Sequence, residues 1–218
     1  MDEHIKNIIA DGVKMISPEL ERITDMLCLF YEQIELFNAT YKLVGAGSEE
    51  LAIRHILDCL APYSVFVQYA AAFDESASFA DLGSGAGLPG LVLAAALNRR
   101  FTLVERMARR AGFLRSCAAQ CKIPSLVNVC EKNLCEVKQQ FDFVTMRAFR
   151  PLKDIGSDLV RILKPCARVF IYKSSEENIE SEIRTVREEL NGKFEYESVS
   201  YNAPFQNAKR SLLILHRI

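Results

Sequence analysis

The sequence predicts an α/β fold: a mostly parallel seven-stranded sheet with a C-terminal antiparallel strand, plus an N-terminal helical extension. Three observations predict it. From position 79 onward, short β-rich runs alternate with helical ones, the signature of parallel strands joined by crossover helices. The last two strand-like runs have no helix between them, and a parallel return needs a dozen or more residues, so they must pair antiparallel. Before residue 73 the periodicity is helical.

In chain order, Ser17-Pro18-Glu19 is a helix start: a hydroxyl cap, proline in the first turn and an acid facing the helix dipole. Leu20, Ile23, Leu27, Phe30, Ile34 and Phe37 then recur at spacings of three and four, which makes one apolar stripe. Gly45-Ala46-Gly47 breaks the chain. Ser48-Glu49-Glu50 restarts a helix through about Cys59, and a further piece spans Pro62–Ala72. The expected strands are Phe79–Leu82, Phe101–Glu105, Leu126–Cys130, Phe141–Met146, Arg168–Tyr172, Phe194–Tyr201 and Leu212–His216. Helices are expected at 88–97, 107–121, 152–163 and 177–190. Residues 1–72 therefore form the extension and 73–218 the core of one compact unit, expected to be a monomer.

With 218 residues, half of them apolar and a quarter charged, the chain has the composition of a soluble globular protein. Its apolar runs fall far short of the roughly 18 residues that span a bilayer. Met1-Asp2-Glu3-His4 lacks the basic and then apolar pattern of a signal peptide, so a cytoplasmic location and no membrane partner are expected. Seven cysteines without a C-x-x-C pair suggest neither a disulfide framework nor zinc, and the three histidines are too scattered for a metal cluster. The net charge of −1 does not imply nucleic acid, but its distribution is uneven. Six arginines lie between Arg99 and Arg115 against the single acid Glu105, whereas eight glutamates crowd 176–197. Such a chain can bind a polyanion locally, although solvated helix faces read the same way.

The strongest motif is Asp81-Leu82-Gly83-Ser84-Gly85-Ala86-Gly87-Leu88-Pro89-Gly90, between an apolar strand and a helix. That is where open α/β sheets hold nucleotide-like ligands. Gly85-x-Gly87-x-x-Gly90 also fits a dinucleotide fingerprint, a weak signal alone. Asp81 favours the other cofactor class: its carboxylate would repel a pyrophosphate and attract the ammonium and sulfonium of S-adenosylmethionine. Glu105, ending the second strand, suits a ribose diol in either class.

The decapeptide DLGSGAGLPG, with Asn38 and Arg54-His55-Ile56-Leu57-Asp58 before it, resembles the GidB/RsmG family of small-subunit ribosomal RNA guanine-N7 methyltransferases. The resemblance extends through Leu103-Val104-Glu105, Arg109-Arg110 and Arg147-Ala148-Phe149 to Tyr172-Lys173 and Arg210-Ser211-Leu212, covering about residues 20–218. It implies a class I, Rossmann-like fold using S-adenosyl-L-methionine, with small-subunit (16S) ribosomal RNA or its ribonucleoprotein particle as partner. By position it assigns cofactor contacts to Gly83, Leu88, Asn133-Leu134 and Arg147, beside Asp81, Gly85, Gly87 and Glu105 from the motif. RNA contacts would come from Asn38, His55, Arg109, Arg110, Lys173 and Arg210. The chain departs from the family pattern at Lys42, Lys132, Asn133-Leu134 and Ser174.

Guanine N7 has a free lone pair and no proton, so its methylation needs neither a general base nor a cysteine nucleophile. Positioning in line with the sulfonium methyl then supplies most of the catalysis. Asn38 is a candidate to support the charge that develops on the base, and Arg147 to bind a cofactor carboxylate or an RNA phosphate. His55 suits a structural, hydrogen-bonded residue better than a base. Lys173 and Arg210 suit phosphate contact and solvated surface equally, and Phe149 or Phe205 suits base stacking or core. The competing functions are a nicotinamide-dependent oxidoreductase, a non-catalytic RNA-binding protein, and a methyltransferase of another RNA, protein or small molecule.

Overall fold

A computed structural model describes the chain except for Ala46, 174–175 and 189–192, and except for the side chains of 176–178, 181, 186 and 187. The middle of the expected Gly45–Gly47 break, Ser174 and the end of the expected 177–190 helix thus lie outside the described residues. The first helix precedes the one expected at Ser17. Asp2 caps it, accepting the His4 backbone N–H at 3.1 Å. Helix α1 (Glu3–Ile16) buries Ile5, Ile9 and Val13 along one face. Ser17 is extended (φ −164°), and its N–H closes α1 onto Val13. Its hydroxyl makes no capping bond, and Pro18–Ile23 winds as a 3-10 turn before α2 (Thr24–Tyr41). The expected start stands, with Ser17 at the cap position, Pro18 in the first turn and Glu19 after it, but the hydroxyl cap is corrected: the Ser17 carbonyl, not its hydroxyl, accepts the Leu20 N–H. The apolar stripe is where periodicity puts it: Leu20, Leu27, Phe30 and Ile34 are fully buried.

Next come α3 (Ser48–Glu50), a π-helical turn (Leu51–Leu57) and α4 (Asp58–Leu60), where one plain α-helix is expected. Single π turns of this kind are rare and gather at functional sites. Helix α5 (Tyr63–Ala70) leads into the sheet.

The strands are β1 (Phe79–Leu82), β2 (Phe101–Val104), β3 (Val127–Cys130), β4 (Phe141–Arg147), β5 (Leu163–Lys173), β6 (Phe194–Tyr201) and β7 (Arg210–Arg217). They form one sheet in the order β3-β2-β1-β4-β5-β7-β6. Neighbours among β1 to β5 are parallel, and β7 is antiparallel to both β5 and β6. Strand β5 begins at Leu163 rather than Arg168, because Leu163 already pairs with Phe141 across a register shift before regular pairing resumes. Crossover helices α6 (Gly90–Leu97), α7 (Ala108–Gln120), α8 (Leu152–Ile162) and α9 (Glu176–Glu188) cover the sheet.

Side-chain alternation sorts the core into two layers. Phe79, Phe101, Phe143 and Phe170 share one face with α6, α7 and the helices before residue 73; Phe143 stacks on Phe170 with centroids 4.3 Å apart. Ala80, Leu82, Val144, Met146, Val169 and Ile171 face α8. All four β1 residues are buried, so the strand is covered on both sides and ends beneath a loop. Among the described residues, no helix is long and apolar enough to cross a membrane and no metal-binding cluster forms. All seven cysteines are free; Cys117 and Cys121 approach to 3.9 Å between sulfurs.

Candidate cofactor and substrate site

The glycine loop leaves β1 and is pinned from two sides. Gly83 N–H and Ser84 N–H donate to the Val104 carbonyl at 2.9 and 3.2 Å, tying the loop to the end of β2. Gly83, Gly85 and Gly87 all have positive φ, at 70°, 54° and 91°. A Cβ built on Gly85 would meet nothing nearer than the Gly83 carbonyl at 3.8 Å, so its α-carbon faces open space. At Gly90 the reason is contact instead: a Cβ there would lie 2.5 Å from both Asp81 Cβ and Leu103 Cδ2. Helix α6 can therefore start directly against β1 and β2.

Glu105 holds the loop from the β2 side. Its Oε2 accepts the Gly85 N–H at 3.0 Å and its Oε1 accepts the Met107 N–H at 2.8 Å. Each carboxylate oxygen has a second lone pair, so a diol can still be received. Asp81 is placed differently from the expectation of a carboxylate facing the ligand. It is fully buried under the loop, and Oδ1 accepts from Thr145 Oγ1 at 2.9 Å, while buried Oδ2 has no hydrogen-bond partner. Desolvation pushes its pKa up to about 6 against the pull of neighbouring donors. Leu88 is buried in the loop's outer turn. Asn133 caps a 3-10 turn (Leu134–Glu136) in a reciprocal capping box with Glu136, and Leu134 is buried. Its side chain thus does local structural work beside β3.

A cleft of about 580 Å³ opens over the ends of β4 and β5, lined in part by Phe149, Arg150, Lys153, Lys173 and Arg210. It lies next to the glycine loop, and Phe149 stands between them. A Cβ on Gly83 would fall 2.1 Å from the Phe149 ring, so the ring is packed on the loop. Ala148, just before it, has φ 50°, a left-handed conformation that directs the turn off β4.

Arg147 ends β4 but is no free fork. It donates to the Arg54 carbonyl at 2.7 Å, the His55 carbonyl at 3.3 Å and Cys59 Sγ at 3.2 Å, and pairs with Asp58 Oδ2 at 3.1 Å. Arg210 reaches the same carboxylate, Nε to Oδ1 at 3.3 Å, and also donates to Gln206 at 3.0 Å. His55 is half-buried; burial first, then the positive charge of Arg147, lowers its pKa to about 4. Asn38 closes the turn after α2: its Oδ1 accepts the Val44 N–H at 2.9 Å. Arg109 lies over the Tyr41 ring at 5.3 Å, and Arg110 Nε is buried without a partner among the described residues. Lys173 pairs with Glu182 at 2.6 Å.

The fold therefore brings Arg147, Lys173 and Arg210 together at the cleft, with the π-helical turn that carries His55 behind Arg147. Asn38 and Arg109 stand on α2 and α7, which pack on each other through Phe37 and Phe113, and Asn133 stands apart beside β3. Sequence reasoning named Asp58 within the Arg54–Asp58 motif but gave it no role, although an acid between Leu57 and Cys59 on a buried face was a signal. It also missed Thr145, whose place beside Asp81 is set only by β1–β4 pairing.

The GidB family model, rRNA small subunit methyltransferase G, matches residues 23–212. The chain belongs to this family. It is 30% identical to ribosomal RNA small subunit methyltransferase G of Treponema pallidum (strain Nichols), over 96% of this chain and 93% of the relative. The Treponema denticola protein of that name is 29% identical over 90% and 87%. Among solved structures, an O-methyltransferase from Bacillus cereus in complex with SAH covers 94% of this chain and all of its own, with TM-score 0.60 and 12% identity. A tRNA methyltransferase from Aquifex aeolicus covers 72% of this chain and 69% of its own, with TM-score 0.57 and 11% identity. At such identities these structures speak for the class I methyltransferase fold alone. Membership of the GidB family makes the chain an S-adenosylmethionine-dependent methyltransferase of small-subunit ribosomal RNA. The open space at Gly85 and the spare lone pairs of Glu105 fit that cofactor, and the Asp81 carboxylate buried beneath the loop suits its positive charge.

Proposed function

We propose that this GidB-family chain methylates N7 of one guanine in 16S ribosomal RNA, using the glycine loop for the cofactor and the β4–β5 cleft for the RNA. The observation that carries the reading is the adjacency of a glycine loop that is open at Gly85 and edged by the Glu105 carboxylate to a cation-lined cleft at the ends of neighbouring strands. S-adenosylmethionine supplies an electrophilic methyl group on a cationic sulfur. Backbone at Gly83, Gly85 and Gly87 would hold the cofactor, with Leu88 as an apolar neighbour, and Glu105 would accept its ribose diol. Asp81 acts from beneath the loop as a buried negative charge that favours a cationic ligand over a neutral one. Asn133 and Leu134 would meet the adenine end through backbone, since the Asn133 side chain is committed to its turn.

Phe149 stands between cofactor and substrate, and Arg147 ties the cleft wall to the Arg54–Cys59 segment. Lys173 and Arg210 meet RNA phosphates at the cleft, Arg109 and Arg110 on the α7 side. His55 stays neutral at pH 7 and takes no proton. Asn38 keeps one lone pair on Oδ1 and its NH2 group for the substrate, the other lone pair being held by Val44. Residues 1–72 serve as an extension of one compact unit, and the protein works as a cytoplasmic monomer on the RNA or its particle.

The test uses purified chain, methyl-labelled cofactor and unmethylated small-subunit RNA. One label per RNA is expected, at a guanine that becomes sensitive to borohydride and aniline cleavage, as 7-methylguanosine is. Label on an exocyclic amine, a ribose or a pyrimidine carbon would refute N7 as the target.

A further inference from the structure

Two guanidiniums converge on one buried carboxylate at the edge of the cleft. Asp58 is 4% exposed. Its Oδ2 lies 3.1 Å from Arg147 and its Oδ1 3.3 Å from Arg210. The two arginines are not held equally. Arg147 has three further partners, in the Arg54 and His55 carbonyls and Cys59 Sγ. Arg210 has Gln206 beyond the carboxylate. Both Asp58 Oδ1 and Arg210 Nε are buried without a hydrogen bond of good geometry, so charge attraction at short range joins them. Burial raises the Asp58 pKa, and the two arginines oppose that rise.

We propose that Asp58 is a positioning residue, which holds Arg210 at the cleft edge in the orientation that meets an RNA phosphate. This rests on the reading of Arg210 as an RNA contact. One carboxylate shared by two guanidiniums leaves a net positive charge at the cleft, and it fixes where that charge stands. The side chain of Arg210 would otherwise sample many rotamers, and that freedom would be lost on each binding event. Preorganisation by Asp58 removes this loss beforehand. Asp58 lies at the cleft edge but is almost wholly covered, and its carboxylate is taken up by the two arginines, so it acts through them. The π-helical turn contributes the geometry, because it delivers Asp58 and the Arg54 and His55 carbonyls to the same guanidinium.

The experiment is a double-mutant cycle with Asp58→Asn, Arg210→Gln and the double variant. Affinity for small-subunit ribosomal RNA is measured over a salt series, beside affinity for S-adenosylhomocysteine. Each single variant is expected to weaken RNA binding roughly tenfold, the size of one charge-assisted contact. The double variant is expected to bind no more weakly than Arg210→Gln, and homocysteine-derivative affinity is expected to stay unchanged in all three. Both singles should show a salt slope shallower by about 1 than the wild type. Asp58→Asn leaves two guanidiniums without their counter-ion and is at risk of unfolding. The double variant removes one of them, so its comparison with Arg210→Gln still decides the matter. Losses that multiply, or an Asp58→Asn variant binding as tightly as wild type while Arg210→Gln is weakened, would overturn the role of Asp58. Wild-type affinity in Arg210→Gln would overturn the RNA contact itself, and with it this role.

Discussion

Replacing Gly85 by alanine should separate cofactor binding from folding. The added Cβ has no atom nearer than 3.8 Å, so packing gives no penalty. The backbone does: φ is +54°, where an L-residue costs about 1–2 kcal/mol. In a domain of this size that lowers Tm by roughly 2–8 °C. The same methyl group projects into the space assigned to the cofactor, so affinity for S-adenosylhomocysteine should fall by an order of magnitude or more. Gly90→Ala is the matched control. Its φ is ordinary, but its Cβ would stand 2.5 Å from Asp81 Cβ and Leu103 Cδ2, neither the free end of a long side chain. Overpacking of that kind costs roughly 1–3 kcal/mol and can exceed it. Gly90→Ala should therefore lose stability through strand–helix separation. Calorimetric titration gives the affinities and thermal melts the stabilities. Cofactor affinity of Gly85→Ala within twofold of wild type would refute the assignment of that space to the cofactor. Equal stability of Gly90→Ala and wild type would refute the contact argument.

Other outcomes follow from the charges. Asp81 has its pKa raised to about 6, so the folded state holds its proton more tightly than the unfolded chain and stability falls as pH rises from about 4 to 6. Asp81→Asn should lack this decline in denaturant titrations across that range and should bind S-adenosylmethionine more weakly; parallel stability curves for the two proteins would disprove the buried-carboxylate reading. His55, lowered to about 4, should leave no inflection near pH 6.5 in single-turnover methylation. An inflection there that vanishes in His55→Ala would mean that a proton moves, and the target atom would not be N7. RNA affinity should decline steeply with salt, and a flat response between about 50 and 200 mM would contradict a cation-lined interface.

Much of this architecture was written locally. Alternation of strand and helix periods located all seven strands, because parallel strands buried on both faces carry continuous apolar runs such as Phe79–Leu82. The glycine loop was legible because three positive-φ positions close together, at 83, 85 and 87, strongly favour glycine. What stayed hidden depends on tertiary pairing. Helix α1 was not singled out, although the Asp2 cap, Glu3 in the first turn and the shared face of Ile5, Ile9 and Val13 were signals for it. The π turn at Leu51–Leu57 has no sequence signature of its own; it is fixed by carbonyls that bond Arg147 from another part of the chain. Asp81 was recognised as important from its place before the glycines, yet its burial follows from Thr145 and Gly90, which β-pairing and helix packing bring to it.

The end of β4 is where these threads meet. Thr145 fastens Asp81 beneath the cofactor loop, Arg147 braces the wall toward the π turn, and Phe149 covers Gly83. These positions alternate along one strand and its exit, so Thr145 and Arg147 point the same way while Met146 enters the opposite core layer. In the proposed reading, one strand sets the cofactor floor and the substrate wall with a single register. A methyl transfer that needs no proton acceptor depends on the distance between its two reactants more than on any reactive side chain. A shared rigid strand is the element best suited to fix that distance, and β4, flanked by β1 and β5 in the middle of the sheet, is such an element.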